Sequence, residues 1–271
     1  MAPIALLLLG ACDTFSSDIT SFFDTFNPPS PVQAAEWALD PYDAENRRRG
    51  TTLLQAAPWG GSEPYVKMYR DRVEVETDPQ VLAISIRALG RWGTPADAVL
   101  IARRLEDRSS QVRWEAAKAL QRLHNVDVIE PLAQALLNEE QGDDARTAAA
   151  IALGQYPTDR SFQALAAALD ARELSVNYAA EWSLTLLTDE QFGLDRRAWL
   201  AWYAAAPKPF AGEEQFLYPV YRRKLDILDY LAFWALPTWE TPGIPVGMPG
   251  NESRTTYQEP PPPTPEPKGM K

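Results

Sequence analysis

The fold of this chain is predicted by residues 111–137, which read QVRWEAAKALQRLHNVDVIEPLAQALL. In the first half of this stretch, apolar residues recur one helical turn apart, at Val112, Ala116, Leu120 and Leu123. Such a spacing is typical of an amphipathic helix. A short polar break follows, and then a second apolar-periodic run, DVIEPLAQALL. The stretch therefore predicts two helices joined by a turn.

The same pattern recurs along the chain. Stretches that begin at Gln80, Asp144 and Ser175 superpose on the one at Gln111, and a weaker copy begins near Asp43. Equivalent leucines keep intervals of 31, 33 and 31 residues; they are Leu89, Leu120, Leu153 and Leu184. One pair of helices cannot bury its apolar stripe alone, whereas stacked pairs can. We therefore predict an all-α fold, an α-solenoid of helical hairpins over residues 31–206, whose many alanines let the helices pack closely.

Two motifs within the repeat, VRWEAAKAL at 112–120 and ARTAAAIAL at 145–153, resemble HEAT repeats, and most closely the bacterial type called PBS-lyase HEAT-like repeats. In that family an Asp at the helix start and an Arg one position after the Val form a ladder between neighbouring repeats. The residues that match these ladder positions are Asp107, Arg113, Asp144 and Arg146. Leu82 and Asn177 occupy the Arg position in two other repeats and depart from the pattern.

The chain begins with an apolar run that ends at its single cysteine, in the order Leu9, Gly10, Ala11, Cys12. The run is too short to span a bilayer, which takes about 20 residues, but it has the length of a secretion-signal core. These four positions resemble the lipobox of bacterial lipoproteins, in which the signal is cut before the cysteine and the thiol is acylated. The resemblance implies a lipid anchor at Cys12. The other interpretation is a buried, unreactive cysteine.

Composition excludes several classes of function. The net charge is −11, and nucleic-acid binding requires clustered Lys and Arg instead. One cysteine and one histidine exclude an internal disulfide and most zinc sites. We expect no cofactor, no metal and no small-molecule substrate.

Catalytic and metal-binding interpretations are weak. His124 lies in the turn QRLHNVD, where a histidine more often caps carbonyls than acts as a base, and no glycine elbow presents a serine. The acidic residues around 139–144 lack the ligand alternation of a calcium loop. An activity on this fold, such as the chromophore attachment that the family name suggests, is an analogy of fold alone.

Aromatic residues concentrate in the last repeat, at Trp182, Trp199, Trp202 and Tyr203. Two interpretations stay open: they seal the end of the stack, or they form a partner surface. A further helix is predicted after Pro219 and ends before Pro237. This helix either packs on the solenoid or lies in a lipid interface.

Together these patterns predict a non-catalytic, lipid-anchored scaffold that binds another protein in the bacterial cell envelope. The expected location is the periplasmic side of the cell membrane, with inner or outer membrane left open. The alternatives are an enzyme accessory factor on the same fold and a purely structural envelope component. The predicted segments are a signal peptide (1–11), a lipidated Cys with a flexible tether (12–30), the solenoid (31–206), a C-terminal extension with one helix (207–236) and a disordered Pro-rich tail (237–271).

Overall fold

The structure, a computed structural model, describes residues 29–210, 212, 214–220 and 241–248. The lipobox with Cys12, nearly all of the tether, most of the predicted C-terminal helix and residues 249–271 lie outside this range. The described residues form eleven α-helices and three short 3-10 segments. None of these helices combines the length and the hydropathy that a membrane crossing requires.

The helices are short and follow one another closely. In chain order they are α1 (Pro31–Ala38), α2 (Ala44–Ala56), α3 (Glu63–Val75), α4 (Pro79–Trp92), α5 (Asp97–Ala102), α6 (Ser110–Leu120), α7 (Ile129–Leu137), α8 (Asp143–Leu153), α9 (Asp159–Ala168), α10 (Leu174–Thr188) and α11 (Arg196–Ala205). The 3-10 segments Pro58–Gly61, Arg103–Glu106 and Val126–Val128 lie in or next to the connections.

Polar residues start several of the helices, as their sequences predict. The carboxylate of Asp43 accepts hydrogen bonds from the backbone N–H groups of Glu45 and Asn46, and Asp78 and Asp195 do the same for α4 and α11. Each of these bonds satisfies a donor that has no partner inside its helix. The helix starts are therefore encoded locally.

Helices α2 to α11 form five hairpins in two layers. The first helices of the hairpins, α2, α4, α6, α8 and α10, contact one another in sequence and form the A layer. The second helices, α3, α5, α7, α9 and α11, form the B layer, and each of the first four also packs against the A helix of the next hairpin. This arrangement confirms the predicted α-solenoid of helical hairpins. Helix α1 packs on α2 and covers the N-terminal end of the A layer.

The core runs without interruption from α3, the second helix of the first hairpin, to α11 of the last. Its centre is lined by small residues of α6 and α8, all nearly or fully buried: Ala116, Ala117, Ala119, Ala148, Ala149 and Ala150. Because the side chains are small, the backbones approach closely. At Gly90 of α4, an added Cβ would lie 2.7 Å from the Cβ of Ala119 on α6.

After α11 the chain returns along the stack as two described pieces, residues 214–220 and 241–248, which we call the C-terminal strap. Phe216 is buried, and Tyr218 donates its N–H to the carbonyl of Gly243 at 2.8 Å. Val246 pairs with the end of α6: its N–H donates to Arg122 O, and its carbonyl accepts from His124 N–H at 2.9 Å. The prediction of a disordered tail is therefore wrong for residues 241–248, because backbone hydrogen bonds hold them on the third hairpin.

A candidate interaction surface on the A layer

Cationic side chains join neighbouring hairpins on the side of the inter-repeat loops. Arg113 Nε donates to Gln141 Oε1 at 3.0 Å, and one of its Nη atoms donates to the carbonyl of Asp107 at 2.8 Å. Arg146 is buried; its Nε donates to Leu136 O at 3.0 Å and its Nη1 to Glu173 Oε2 at 2.7 Å. These two arginines thus link the hairpin before them to the loop of the hairpin after them.

The aspartates expected in the ladder do not supply its acceptors through their carboxylates. Asp107 contributes its backbone carbonyl to Arg113, while its carboxylate accepts from Ser109 N–H at 2.9 Å. Asp144 is exposed in the first turn of α8, and the acid that pairs with Arg146 is Glu173. The reason is positional: an Arg in the first turn of an A helix reaches the loops on either side of it rather than the helix start itself.

Asn177 occupies the Arg position of the fifth hairpin, and like Arg146 it donates to backbone carbonyls of the preceding hairpin. Its Nδ2 lies 2.6 to 3.2 Å from the carbonyl oxygens of Ala168, Leu169 and Ala171. A shorter amide therefore covers the exposed carbonyls at the end of α9, although it reaches no acid of a following hairpin.

A basic cleft lies on the A layer, across α2, α4 and α6. Its volume is about 310 Å³, and its lining consists of Gln55, Arg87, Arg91, Trp114, Glu115, Lys118, Ala119 and Arg122. Four of these side chains are cationic and one is acidic, in a chain whose net charge is −11. The sequence pattern did not reveal this cleft, because its charges come from two repeats and are separated by up to 35 positions.

Contacts inside the basic cleft fix the orientation of its side chains. The buried Glu115 carboxylate accepts from Arg87 Nε at 3.0 Å, and Lys118 Nζ lies 3.6 Å from it. The same Nζ is 4.1 Å from the ring centre of Trp114, within cation–π distance. Burial lowers the pKa of Lys118, and the nearby Glu115 carboxylate opposes this shift. The cleft therefore presents cations on an apolar, aromatic floor.

An exposed apolar patch lies at the other end of the A layer. Leu174, Tyr178 and Trp182 follow one another at four-residue spacing along α10, and their exposed fractions are 64%, 59% and 42%. Four residues in a helix advance by about 40° beyond one full turn, so three such positions stay within one face. Leu217 of the strap, which is 45% exposed, lies beside Phe216, whose ring centre is 6.1 Å from that of Trp182. We call these four residues, Leu174, Tyr178, Trp182 and Leu217, the α10 patch.

The other aromatic residues of the last hairpin close the end of the stack. Trp199 is completely buried; it donates from Nε1 to Gly193 O at 2.8 Å and meets Phe192 edge-on at 5.0 Å. Tyr203 stacks on Phe162 at 3.9 Å, and its hydroxyl bonds to Asp159. The interpretation of Trp199 as part of a partner surface is wrong, because its ring has no exposed area. Trp202 and Tyr203 are half-buried, and Trp182 is the most exposed of the four.

His124 is part of a structural contact between hairpins and the strap. Its ring stacks on Tyr156 at 4.7 Å, its backbone N–H donates to Val246 O, and burial lowers its pKa. Among the described residues, no group of three or more His, Cys, Asp and Glu side chains is arranged to hold a metal ion.

Comparison with known proteins identifies the repeats. A profile described as HEAT repeats matches residues 70–143 and, overlapping them, 98–185. The hairpins within residues 70–185 are thus similar to HEAT repeats. No curated protein shows a significant match to the chain. Among solved structures, human deoxyhypusine hydroxylase in complex with glycerol aligns with 63% of this chain and 89% of its own, at 16% identity and a TM-score of 0.31.

The residues that match the HEAT-repeat profile extend into α10, the helix that carries most of the α10 patch. Trp182 was recognised from sequence as a possible partner residue, whereas Leu174 and Tyr178 were not. Their four-residue spacing is the signal that could have identified them, but the same spacing is shared by core positions, and only the packing of α8 and α10 shows which face stays exposed.

Proposed function

We propose that this chain is a non-catalytic scaffold of HEAT repeats that is anchored by a lipid and binds another protein in the bacterial cell envelope. The observation that carries the proposal is the α10 patch, four exposed apolar side chains of which three lie on one face of α10. Such side chains dominate the energetics of protein interfaces. A stack of paired helices supplies the extended surface that repeat proteins use for binding.

The geometry of the patch favours an apolar, helical or extended segment of a partner protein. Tyr178 and Trp182 are one turn apart and each combines a large apolar area with one polar atom. Such rings supply contact area at a low entropic cost, because they have few rotatable bonds. A partner that covers Leu174, Tyr178 and Trp182 would bury a continuous apolar strip along α10.

The anchor in this proposal is Cys12, and its support is the lipobox-like order Leu9, Gly10, Ala11, Cys12. Two or three acyl chains on one residue hold a protein stably at a bilayer, whereas a single chain binds marginally. The segment from Cys12 to Ser30 would then set the distance between the membrane and α1. If it is flexible, it spans roughly 25 Å.

Site-specific photo-crosslinking in living cells tests the partner surface. A photoreactive residue replaces Tyr178, and a matched probe replaces Tyr42, which is 96% exposed at the opposite end of the stack. At position 178 we expect one partner protein to be crosslinked, in a constant ratio to the bait chain. At position 42 we expect no such product. Equal, diffuse crosslinking at both positions would contradict the proposal and favour a purely structural component.

Metabolic labelling with a palmitate analogue tests the anchor separately. We expect label on the wild-type chain and none on Cys12→Ala, together with release of the variant from the membrane fraction. Absence of label on both chains would overturn the anchor and leave the crosslinking result to decide the scaffold role.

A further inference from the structure

A groove lies on the first hairpin, between the α1–α2 connection and α3. Its volume is about 440 Å³, within the range of about 300–1,000 Å³ that small-molecule sites occupy. Part of its lining is apolar: Leu39, Pro41, Pro64, Met68 and Val75. The rest of its lining is charged: Asp40, Arg47, Lys67, Asp71 and Arg72. The groove therefore combines an apolar surface with fixed charges.

Most of the charged lining residues are already engaged. Lys67 Nζ pairs with Asp71 at 2.9 Å, and Arg47 Nε pairs with Glu76 Oε2 at 3.0 Å. The carboxylate of Asp40 accepts two backbone N–H bonds, at 2.8 and 3.0 Å, and one side-chain amide bond. These four lining residues therefore have partners within the first hairpin and the connections next to it.

Arg72 differs from the other buried charged residues of the described chain. Its exposed fraction is 8%, and its Nη1 donates to the neutral hydroxyl of Thr51 at 2.5 Å. No carboxylate of a described residue lies within 4.0 Å of its guanidinium. The other three, Asp97, Glu115 and Arg146, each pair with an opposite charge. Arg72 is thus a buried cation that lines a groove and lacks a counter-charge.

A buried charge of this kind is costly. The guanidinium does not lose its proton in proteins, so it cannot escape the cost of burial by becoming neutral. Burial lowers the pKa of Arg72, and the Glu76 carboxylate, which pairs with Arg47, opposes the shift. A second role is open to Arg72, since a cation is favourable in the last turn of α3. That role needs no ligand, whereas a missing counter-charge is supplied by a bound anion.

We propose that this groove binds a small carboxylate with an aliphatic body, the carboxylate at Arg72 and the body against Leu39 and Met68. The two oxygens of a carboxylate match the planar fork of a guanidinium, and its single charge balances the single unpaired cation. A phosphate monoester carries nearly two negative charges, which would face Asp40 and Asp71 as well.

The walls of the groove favour an aliphatic body over a peptide. An entering peptide would bury backbone N–H and C=O groups, and each of these requires a partner. Pro41 and Pro64 have no N–H to offer, and the side chains of Leu39, Met68 and Val75 form no conventional hydrogen bonds. This ligand class departs from the sequence-based expectation that the chain takes no small molecule, and it is independent of the proposed scaffold function.

Calorimetric titration with octanoate tests the site, in the full chain carrying Cys12→Ser at neutral pH and without detergent. The compound 1-octanol has the same aliphatic body and a neutral end. We expect octanoate to bind more tightly than 1-octanol by about tenfold or more, the size of a charge-assisted hydrogen bond. Arg72→Gln should remove this preference and leave the weaker binding of 1-octanol unchanged.

A variant at the rim keeps the test decisive if Arg72→Gln fails to fold. Leu39 lines the groove and is 65% exposed, so Leu39→Glu adds a carboxylate without disturbing the core. We expect it to weaken octanoate binding about threefold through repulsion. Val32→Glu is the matched control, because Val32 is 68% exposed on α1 and lies outside the lining. It should leave the affinity unchanged.

A photoreactive octanoate analogue locates the bound molecule. We expect label on peptides from residues 39–41 and 64–75, and loss of label with excess octanoate. Label on the α10 patch alone, equal affinities for octanoate and 1-octanol, or unchanged octanoate binding by a folded Arg72→Gln would each overturn the proposal. It is also overturned if an acetylated tripeptide with a free C-terminus binds more tightly than octanoate and displaces it, since the occupant is then a protein. None of these outcomes affects the scaffold function, because no partner protein or membrane enters the assay.

Discussion

Arg146 lies between two hairpins and hydrogen-bonds to both. Its guanidinium is almost fully buried, while its partner Glu173 is one-third exposed, and the carbonyl of Leu136 accepts a second bond. A buried donor of this kind contributes mainly by satisfying acceptors that would otherwise lose water without compensation. The inter-repeat linkage therefore depends on the arginine more than on the acid.

Replacing Arg146 with methionine should lower the free energy of unfolding by about 2 kcal/mol, because Leu136 O and the Glu173 carboxylate both lose their donor. Urea unfolding followed by circular dichroism measures the change. The control is Arg172→Met, an exposed neighbour, which should alter stability by less than about 0.5 kcal/mol. Equal losses in both variants would show that the loop, and not the buried linkage, carries the effect.

His124 predicts a pH dependence of stability with a definite sign. Burial lowers its pKa below the ordinary 6.5 in the folded chain. As the pH falls below 6.5, the unfolded chain therefore binds the proton first, and the free energy of unfolding decreases. Well above this value both states are neutral, and His124 contributes nothing to the slope.

The prediction is measured as the difference between wild type and His124→Gln. Urea unfolding at about pH 7.5 and about pH 5.5 should show a larger loss of stability for the wild type, because the variant lacks this titration. Carboxylates titrate in both proteins and cancel in the comparison. Identical losses in the two proteins would contradict the assigned burial of the ring.

At the scale of elements, the contact between α4 and α6 depends on small residues. Gly90 lies against Ala119 so closely that a Cβ at position 90 would be 2.9 Å from the Ala119 Cα. In an isolated helix, alanine is more favourable than glycine by about 1 kcal/mol. In this interface the steric conflict is larger, because both neighbours are backbone-near atoms that cannot rotate away.

We therefore expect Gly90→Ala to destabilise the protein by about 2 kcal/mol despite its better helix propensity. Gly142→Ala is the control, since no atom lies within 4 Å of its added Cβ. Gly142 precedes the first turn of α8, where alanine is less favourable than glycine. We therefore expect Gly142→Ala to lower the free energy of unfolding by only about 0.5 kcal/mol. Thermal and urea unfolding of both variants measure the difference, and a stabilising Gly90→Ala would refute the close approach.

Elements also show where sequence prediction failed. The helices of the last four hairpins were predicted because each carries its own periodicity and several carry their own caps. Of the first hairpin, only a weaker copy near Asp43 was predicted, and its second helix, α3, was not identified. The docking of residues 241–248 and the basic cleft were not predicted, since each depends on residues that meet only after the repeats stack. Helix α1 was not predicted either, although Ser30 caps its start locally. For Trp199, the sequence left open whether its ring seals the end of the stack or belongs to a partner surface. Its burial follows from contact with Phe162 of the preceding hairpin.

On the scale of the whole molecule, the stack is a one-dimensional array in which each hairpin contacts its neighbours. Stability is then local, and damage at one end should stay there. Trp199 tests this, because its ring is buried in the last hairpin against Phe162, Phe192 and Trp202.

Trp199→Ala should destabilise the last hairpins by about 3–5 kcal/mol and raise amide hydrogen exchange in α9, α10 and α11. Exchange in α4 and α6 should remain as in the wild type. Trp182→Ala, at a half-exposed position on α10, should have a much smaller effect. A uniform rise of exchange through all five hairpins would instead indicate a single cooperative unit.

The sequence by itself determined the hairpins, their number and their order, because apolar periodicity and capping residues act within one helix and need no distant partner. The lipobox-like start and the acidic net charge are likewise local or compositional properties. Only the tertiary structure decided which apolar faces are buried, which acid pairs with Arg146, and where the basic cleft and the α10 patch lie. These features arise between hairpins, where stacking brings together residues that are about 30 positions apart in the sequence.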